Sequence, residues 1–285
     1  MKAALFLALM VASTVTWALP KAPFNALAEE NLKNINFDGM DLAYDFEGIV
    51  KLSNCSGSLI AFAGMPLNAK ALVMTNGHCI QKPGGFLAPG EVMVNAANNR
   101  AMKIYDRNFK LHPIQATKIV YATMTNTDIA FYELTQSYND IMAAYKIRPF
   151  FLDGARPRAG QPIDIVSGYW DRGWSCDIDG FVFRIKEAAW SWTDSIRYTS
   201  TCDTIGGTSG SPIIARGERR VIGVNNTSNE SGERCTMNNP CEVDERGQVT
   251  VSKGVRYGQQ SYNVYSCLTP DFRIDPRRES CQLPR

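Results

Sequence analysis

Histidine is scarce. The 285 residues contain two, His78 and His112. That leaves little room for a zinc site built mainly on imidazole and gives any histidine chemistry two candidates. An excess of either charge is also lacking: 30 Lys plus Arg stand against 28 Asp plus Glu, a formal net charge of +2. The balance speaks against a basic nucleic-acid binder and against an acidic solvating tail. Long apolar runs are missing too. The N-terminal one, residues 3–15, is 13 residues long and is interrupted only by Ser13 and Thr14. A membrane-spanning helix needs roughly 20. Repeats, low-complexity segments and C-x-x-C spacings are absent, and with the last goes the usual thiolate zinc signature. What remains is of globular composition, 45% hydrophobic and 20% charged, with enough chain for one large domain or two moderate ones.

Lys2, the short apolar run and the small-x-small sequence Thr16-Trp17-Ala18 read as a secretory signal cleaved after Ala18. The expected location is therefore secreted or extracytoplasmic, with no membrane span in the mature chain. Export makes the eight Cys expected disulfides.

Residues 19–47 read as an N-terminal arm or pro-segment, with a short helix near residues 26–32. From residue 48 the texture changes. Short runs rich in Val, Ile, Phe and Tyr alternate with Gly, Pro and Asn turns, at 48–52, 58–62, 71–75, 91–94, 118–122 and 129–134. They resume at 162–167, 180–185, 196–199, 212–215, 220–224 and 248–252. Such runs predict an all-β barrel or sandwich. Helical periodicity is weak except over residues 137–146. The Gly- and Pro-containing stretch 151–161 reads as a linker between two halves, 48–150 and 162–266, followed by a basic tail, 267–285.

Three segments carry chemistry. They are Thr75-Asn76-Gly77-His78-Cys79-Ile80, Thr127-Asp128-Ile129-Ala130, and Gly206-Gly207-Thr208-Ser209-Gly210-Ser211-Pro212. Singly, each has a bland reading: a satisfied polar residue at a strand end, turn chemistry, a loop. Together and in this order they are specific. The chain resembles the trypsin/chymotrypsin-like serine proteases from about residue 48 to at least residue 224. Cys55-Ser56-Gly57-Ser58-Leu59-Ile60 is similar to that family's C-G-G-S-L-I, Gly77-His78-Cys79 to its A-H-C, and Asp128-Ile129-Ala130 to its D-I-A. Residues 207–212 are similar to its G-D-S-G-G-P. The order His, Asp, Ser is that of chymotrypsin.

The resemblance implies two antiparallel six-stranded β-barrels with the site between them. It implies a serine endopeptidase that needs no cofactor and no metal. Ser209 would attack, His78 would serve as base and then acid, and Asp128 would hold the imidazole. The N–H groups of Gly207 and Ser209 would form the oxyanion hole. His112, before Pro113 and without a motif, reads as structural. The implied partners are protein or peptide substrates, and a protein inhibitor is the other candidate; nucleic acid is not expected.

Two departures bear on mechanism. Thr208 stands where the family often has the Asp that pairs with a new N-terminus, and no I-V-G-G neo-terminus precedes the domain. Activation by that ion pair is therefore not expected. Asp203 lies six residues before Ser209, where trypsin-like enzymes carry a pocket carboxylate for Lys or Arg. Cys202 and Ile205 break the usual local pattern. The stretch after the nucleophile lacks the His of glutamyl endopeptidases, which counts against Glu specificity. Asn226, Thr227 and Ser228 are the expected substrate-pairing strand. The reading is trypsin-like cleavage. The alternatives are a protease of other specificity, glutamyl-endopeptidase-like, and a non-catalytic binding protein on the same fold.

The resemblance also implies a bridge between Cys55 and Cys79. The other six Cys allow 15 connectivities. Cys176–Cys202, Cys235–Cys241 and Cys267–Cys281 form the most local set, with Cys202–Cys235 as a rival.

Overall fold

The computed structural model describes residues 44–285. The expected signal sequence, nearly all of the expected arm and the helix expected near residues 26–32 lie outside the described residues. In chain order the first half holds β1 (Ile49–Lys51), β2 (Ser56–Ala61), β3 (Lys70–Thr75), β4 (Val92–Tyr105), β5 (Leu111–Thr123) and β6 (Ile129–Ser137). Helix α1 (Tyr138–Tyr145) and a short strand β7 (Phe150–Leu152) follow. The second half holds β8 (Pro162–Ser167), β9 (Arg172–Glu187), β10 (Trp190–Tyr198), β11 (Pro212–Ala215), β12 (Arg220–Ser228), β13 (Cys241–Val243), β14 (Val249–Thr250) and β15 (Arg256–Gln260).

The pairings close into two antiparallel rings. In the first, β1 pairs with β4, β4 with β5, β5 with β6, β6 with β3, β3 with β2, and β2 back with β1. In the second, the circuit is β8, β9, β10, β15, β12, β11 and back to β8. The class is all-β, as expected. β7 lies parallel to both β2 and β12 and joins the rings. The expected linker therefore begins with two strand residues, Phe151 and Leu152.

Period-two alternation explains why the strands of the first ring read as continuous apolar runs. Leu59, Ala71, Val73, Ala130, Tyr132 and Leu134 belong to the core inside the ring. Their neighbours Ile60, Leu72, Met74, Ile129 and Phe131 point the other way. They pack with Phe46, Phe150, Val264, Ile274 and Leu283. Both faces are buried, because the inter-ring segment and the tail cover the outer one. The second ring encloses a smaller core that includes Ile163, Ile165, Trp174, Ile196 and Ile213.

Helix α1 falls where its period places it. Ser137 accepts from the Asp140 N–H at 3.1 Å and the Asp140 carboxylate accepts from the Ser137 N–H at 2.8 Å, a capping box. The hairpin β4–β5 is much longer than expected. Its residues Asn95, Ala96, Ala97, Asn98 and Asn99 lack β-branching, and their strand conformation comes from eleven paired positions along the ladder.

All eight Cys are paired: Cys55–Cys79, Cys176–Cys202, Cys235–Cys241 and Cys267–Cys281. This is the most local set, and the rival Cys202–Cys235 is not formed. Among the described residues no helix is long and apolar enough to cross a membrane.

Candidate active site

His78 sits in a 3-10 turn, Gly77–Cys79, directly after β3. Asp128 directly precedes β6. Thr75 and Ala130 are opposite each other where β3 pairs with β6, so the strand register brings the two motifs together across 50 residues of sequence. The contact has two points: Asp128 Oδ2 lies 2.7 Å from His78 Nδ1, and Asp128 Oδ1 accepts from the His78 N–H at 3.0 Å. Asp128 is fully buried while the His78 side chain is 21% exposed, so one edge of the imidazole faces solvent. Burial disfavours the imidazolium. The charge and hydrogen bond of Asp128 outweigh it, with the charge of Glu187 adding, and His78 ends above its ordinary pKa.

Ser209 lies in the loop before β11 and belongs to the same cleft as His78, a cavity of about 260 Å³. Its Oγ donates to the Asn226 carbonyl at 3.2 Å. The loop is held from both rings. The Ser56 N–H donates to the Ser209 carbonyl at 2.8 Å. The Gly210 N–H donates to the Asn225 carbonyl at 3.0 Å and to Asn76 Oδ1 at 2.6 Å. Gly210 has φ +79°, and a Cβ there would stand 2.1 Å from the Ser56 carbonyl oxygen; only glycine fits. Asn76, fully buried, also donates to the Asp128 carbonyl at 2.8 Å. One amide thus ties the Asp128 segment to the Ser209 segment. Among the described residues the N–H groups of Gly207 and Ser209 donate to no protein acceptor.

Thr208 is buried and neutral. Its Oγ donates to the Ile205 carbonyl at 2.6 Å, and Asn225 Nδ2 donates to the Thr208 carbonyl and hydroxyl. Asn226, Thr227 and Ser228, at the end of β12, line the cleft. Both amide atoms of Asn226 are buried without a partner among the described residues.

Asp203 is placed differently from the expectation of a buried pocket carboxylate. Its side chain is 75% exposed, and it forms an ion pair with Arg256 outside the cleft lining. The Cys176–Cys202 bridge holds the preceding residue in the ring core. Arg256, which also donates to the Thr204 carbonyl at 2.8 Å, draws the carboxylate outward.

The buried carboxylate of the cleft is Glu187, 5% exposed, at the end of β9. Thr227 Oγ1 donates to it at 2.6 Å and the Asn238 N–H at 2.8 Å. Burial pushes its pKa up, and these hydrogen bonds and the nearby His78 only partly oppose that. Glu187, in Arg-Ile-Lys-Glu-Ala-Ala, carries no sequence motif, and Asn76 lies in the His78 segment without a role assigned to it there. Their only signal is that charge and amide cannot stay buried without partners. The rim is apolar. Phe86, 46% exposed, sets its ring edge-on to His78 at 6.2 Å and to Trp190 at 5.8 Å.

Cys55, His78 and Cys79 bring potential ligand atoms within 4.8 Å of one another. The two sulfurs form a disulfide and His78 Nδ1 is bound to Asp128, so the group lacks thiolates for a metal. His112 Nε2 pairs with Asp106 at 2.8 Å and its ring stacks on Tyr145, away from the cleft lining.

No curated protein sequence matches this chain. Among solved structures it is similar to the MamO protease domain from Magnetospirillum magneticum, with 12% identity over 79% of this chain and 97% of that one, at TM-score 0.49. It is also similar to a Nocardiopsis protease, with 14% identity over 76% of this chain and 93% of that one, at TM-score 0.44. The family model described as the trypsin-like peptidase domain matches residues 55–224, more than half of the chain and the span that holds both rings' motifs, and the protein belongs to that family.

Proposed function

We propose that the protein is an exported serine endopeptidase whose triad is Ser209, His78 and Asp128. The observation that carries this is the two-point hold of Asp128 on His78, 2.7 Å to the ring and 3.0 Å to the backbone. It fixes the tautomer that leaves Nε2 free to take a proton. Ser209 lines the same cleft. Its hydroxyl rests on the Asn226 carbonyl and turns to Nε2 for attack, an adjustment common when substrate arrives. The N–H groups of Gly207 and Ser209 receive the oxyanion. The halves 48–150 and 162–266, joined by 151–161 and followed by the tail 267–285, are the two catalytic barrels. Residues 1–18 are the export signal, and the four disulfides suit an oxidising destination. With neutral Thr208 before the nucleophile, maturation requires no α-amine ion pair there.

The preferred substrate carries Lys or Arg. Asp203 is already neutralised by Arg256, so the recognition charge comes instead from Glu187 and Glu230, which line a cleft whose wall includes no Lys or Arg. Asn226 to Ser228 pair with the substrate backbone.

A fluorophosphonate probe tests the reaction class. The wild type is expected to label and Ser209→Ala is not. An unlabelled but folded wild type, or equal labelling of the variant, overturns the reading.

A further inference from the structure

The loop before Ser209 contains a turn whose central carbonyl accepts from an indole N–H. The Thr208 N–H donates to the Ile205 carbonyl at 3.1 Å, and the third residue of this turn, Gly207, has φ +90°. This is the type II arrangement, which requires a positive φ at that position. Its alternative is type I, reached by rotating the central peptide, Gly206–Gly207, through about half a turn. The carbonyl of that peptide belongs to Gly206 and its N–H to Gly207. In a trans peptide the two point in opposite directions. Whatever holds the Gly206 oxygen therefore aims the Gly207 N–H.

Trp170 holds it. Its Nε1 donates to the Gly206 carbonyl at 2.8 Å. Trp170 is itself anchored: its N–H donates to Ser167 Oγ at 3.2 Å, and the Tyr169 N–H donates to Ser56 Oγ at 3.1 Å. The two serine hydroxyls lie 2.9 Å apart in the buried junction between β2 and β8. The contact is close enough that a Cβ on Gly207 would stand 2.9 Å from Trp170 Nε1. On the opposite side of the same peptide, the Gly207 N–H has no protein acceptor among the described residues.

We propose that Trp170 is a positioning residue: by fixing the Gly206 carbonyl it locks the turn in the type II form and aims the Gly207 N–H at the position where the oxyanion develops. The inference rests on the serine-peptidase reading above. Without the indole N–H, the peptide is free to turn over. The turned form places a carbonyl where the oxyanion develops, and repulsion replaces stabilisation.

The experiment compares wild type with Trp170→Phe, which keeps an aromatic ring, and with the isostere benzothienylalanine at 170, which replaces only the N–H. The readouts are the fluorophosphonate labelling rate, kcat and KM on a peptidyl-arginine amide, Ki of the matching peptide aldehyde, and the melting temperature. A lost oxyanion donor typically costs about 100-fold or more in kcat, and a partly turned peptide a fraction of that, so kcat is expected to fall at least about tenfold in both variants. The labelling rate and aldehyde affinity should fall in parallel, while KM stays within about twofold because ground-state binding does not use this donor. Labelling and kcat within about twofold of a labelled wild type overturn the role of Trp170 alone. A loss confined to KM and melting temperature assigns Trp170 to packing and also overturns it. A folded wild type that does not label overturns the peptidase reading and this inference with it.

Discussion

At the scale of single residues, the charge balance around His78 decides when the site works. With His78 as the proposed general base, which must be neutral to act, activity is expected to rise with pH through the His78 pKa, and Asp128 and Glu187 set that pKa above the ordinary imidazole value. Replacing Glu187 by Gln removes one of the negative charges that favour the imidazolium. The acid limb of kcat/KM is therefore expected to move to lower pH, and preference for Arg over uncharged substrates to shrink; Asp203→Ser should change neither. A pH–rate profile with paired substrates checks both, and an unmoved limb in Glu187→Gln refutes the electrostatic assignment. The two carboxylates also mark the limit of sequence reading. His78, Asp128 and Ser209 are legible because each sits in a short motif of fixed order. Asp203 has the right spacing, but spacing along a loop does not say which way a side chain faces, and Arg256, 53 residues away, turned it outward. Glu187 is invisible in sequence because its partners Thr227 and Asn238 come from elements that meet β9 only after folding.

At the scale of elements, apolar runs are legible where both faces of a strand are buried, as in β2, β3 and β6. They fade where strands are polar. β15, Arg-Tyr-Gly-Gln-Gln, does not read as a strand in sequence; it exists because β10 and β12 flank it and complete its hydrogen bonds. Tertiary pairing there overrides weak propensity. The entry to β1 is likewise fixed from outside. Glu47, 1% exposed, accepts from the Arg148 N–H at 2.8 Å and from its guanidinium at 2.7 Å, with Arg219 at 3.6 Å. Burial alone would raise its pKa, but the bonds to Arg148 and the Arg219 charge leave it lowered. A depressed folded-state pKa means that the stabilisation is present above the unfolded carboxylate pKa and is lost as pH falls through the folded value. Breaking such a buried pair costs about 3–5 kcal/mol in closed sites. With Arg148 half in solvent, Glu47→Gln is expected to cost about 2 kcal/mol near neutral pH, and the gap to wild type should close under acid. Urea melts at two pH values measure it; a pH-independent difference contradicts the ionic account.

At the scale of the whole molecule, two closed rings leave few free sheet edges, and the seam between them is where loops carrying His78, Asp128 and Ser209 converge. The ring count follows from the family resemblance, whereas nothing in its sequence places the tail. Basic and proline-containing, it carries no motif that assigns it a role. In the structure Ile274 and Leu283 lie against the outer face of the first ring, beside Tyr121 and Phe131. The Tyr121 hydroxyl donates to the Pro284 carbonyl at 3.0 Å. The Cys267–Cys281 bridge, 14 residues apart, closes the tail into a strap over apolar surface that the ring alone would expose. A loop of this size contributes roughly 3 kcal/mol through the unfolded chain. Changing both cysteines to alanine should therefore lower the unfolding free energy by about that amount and open the tail to trypsin digestion. The cleft lining includes no tail residue, so fluorophosphonate labelling of the folded variant should match wild type. An unchanged unfolding free energy would show that the strap is held by its apolar contacts alone. Loss of labelling while the variant remains folded would place the tail in the catalytic assembly, against the separation of strap and cleft.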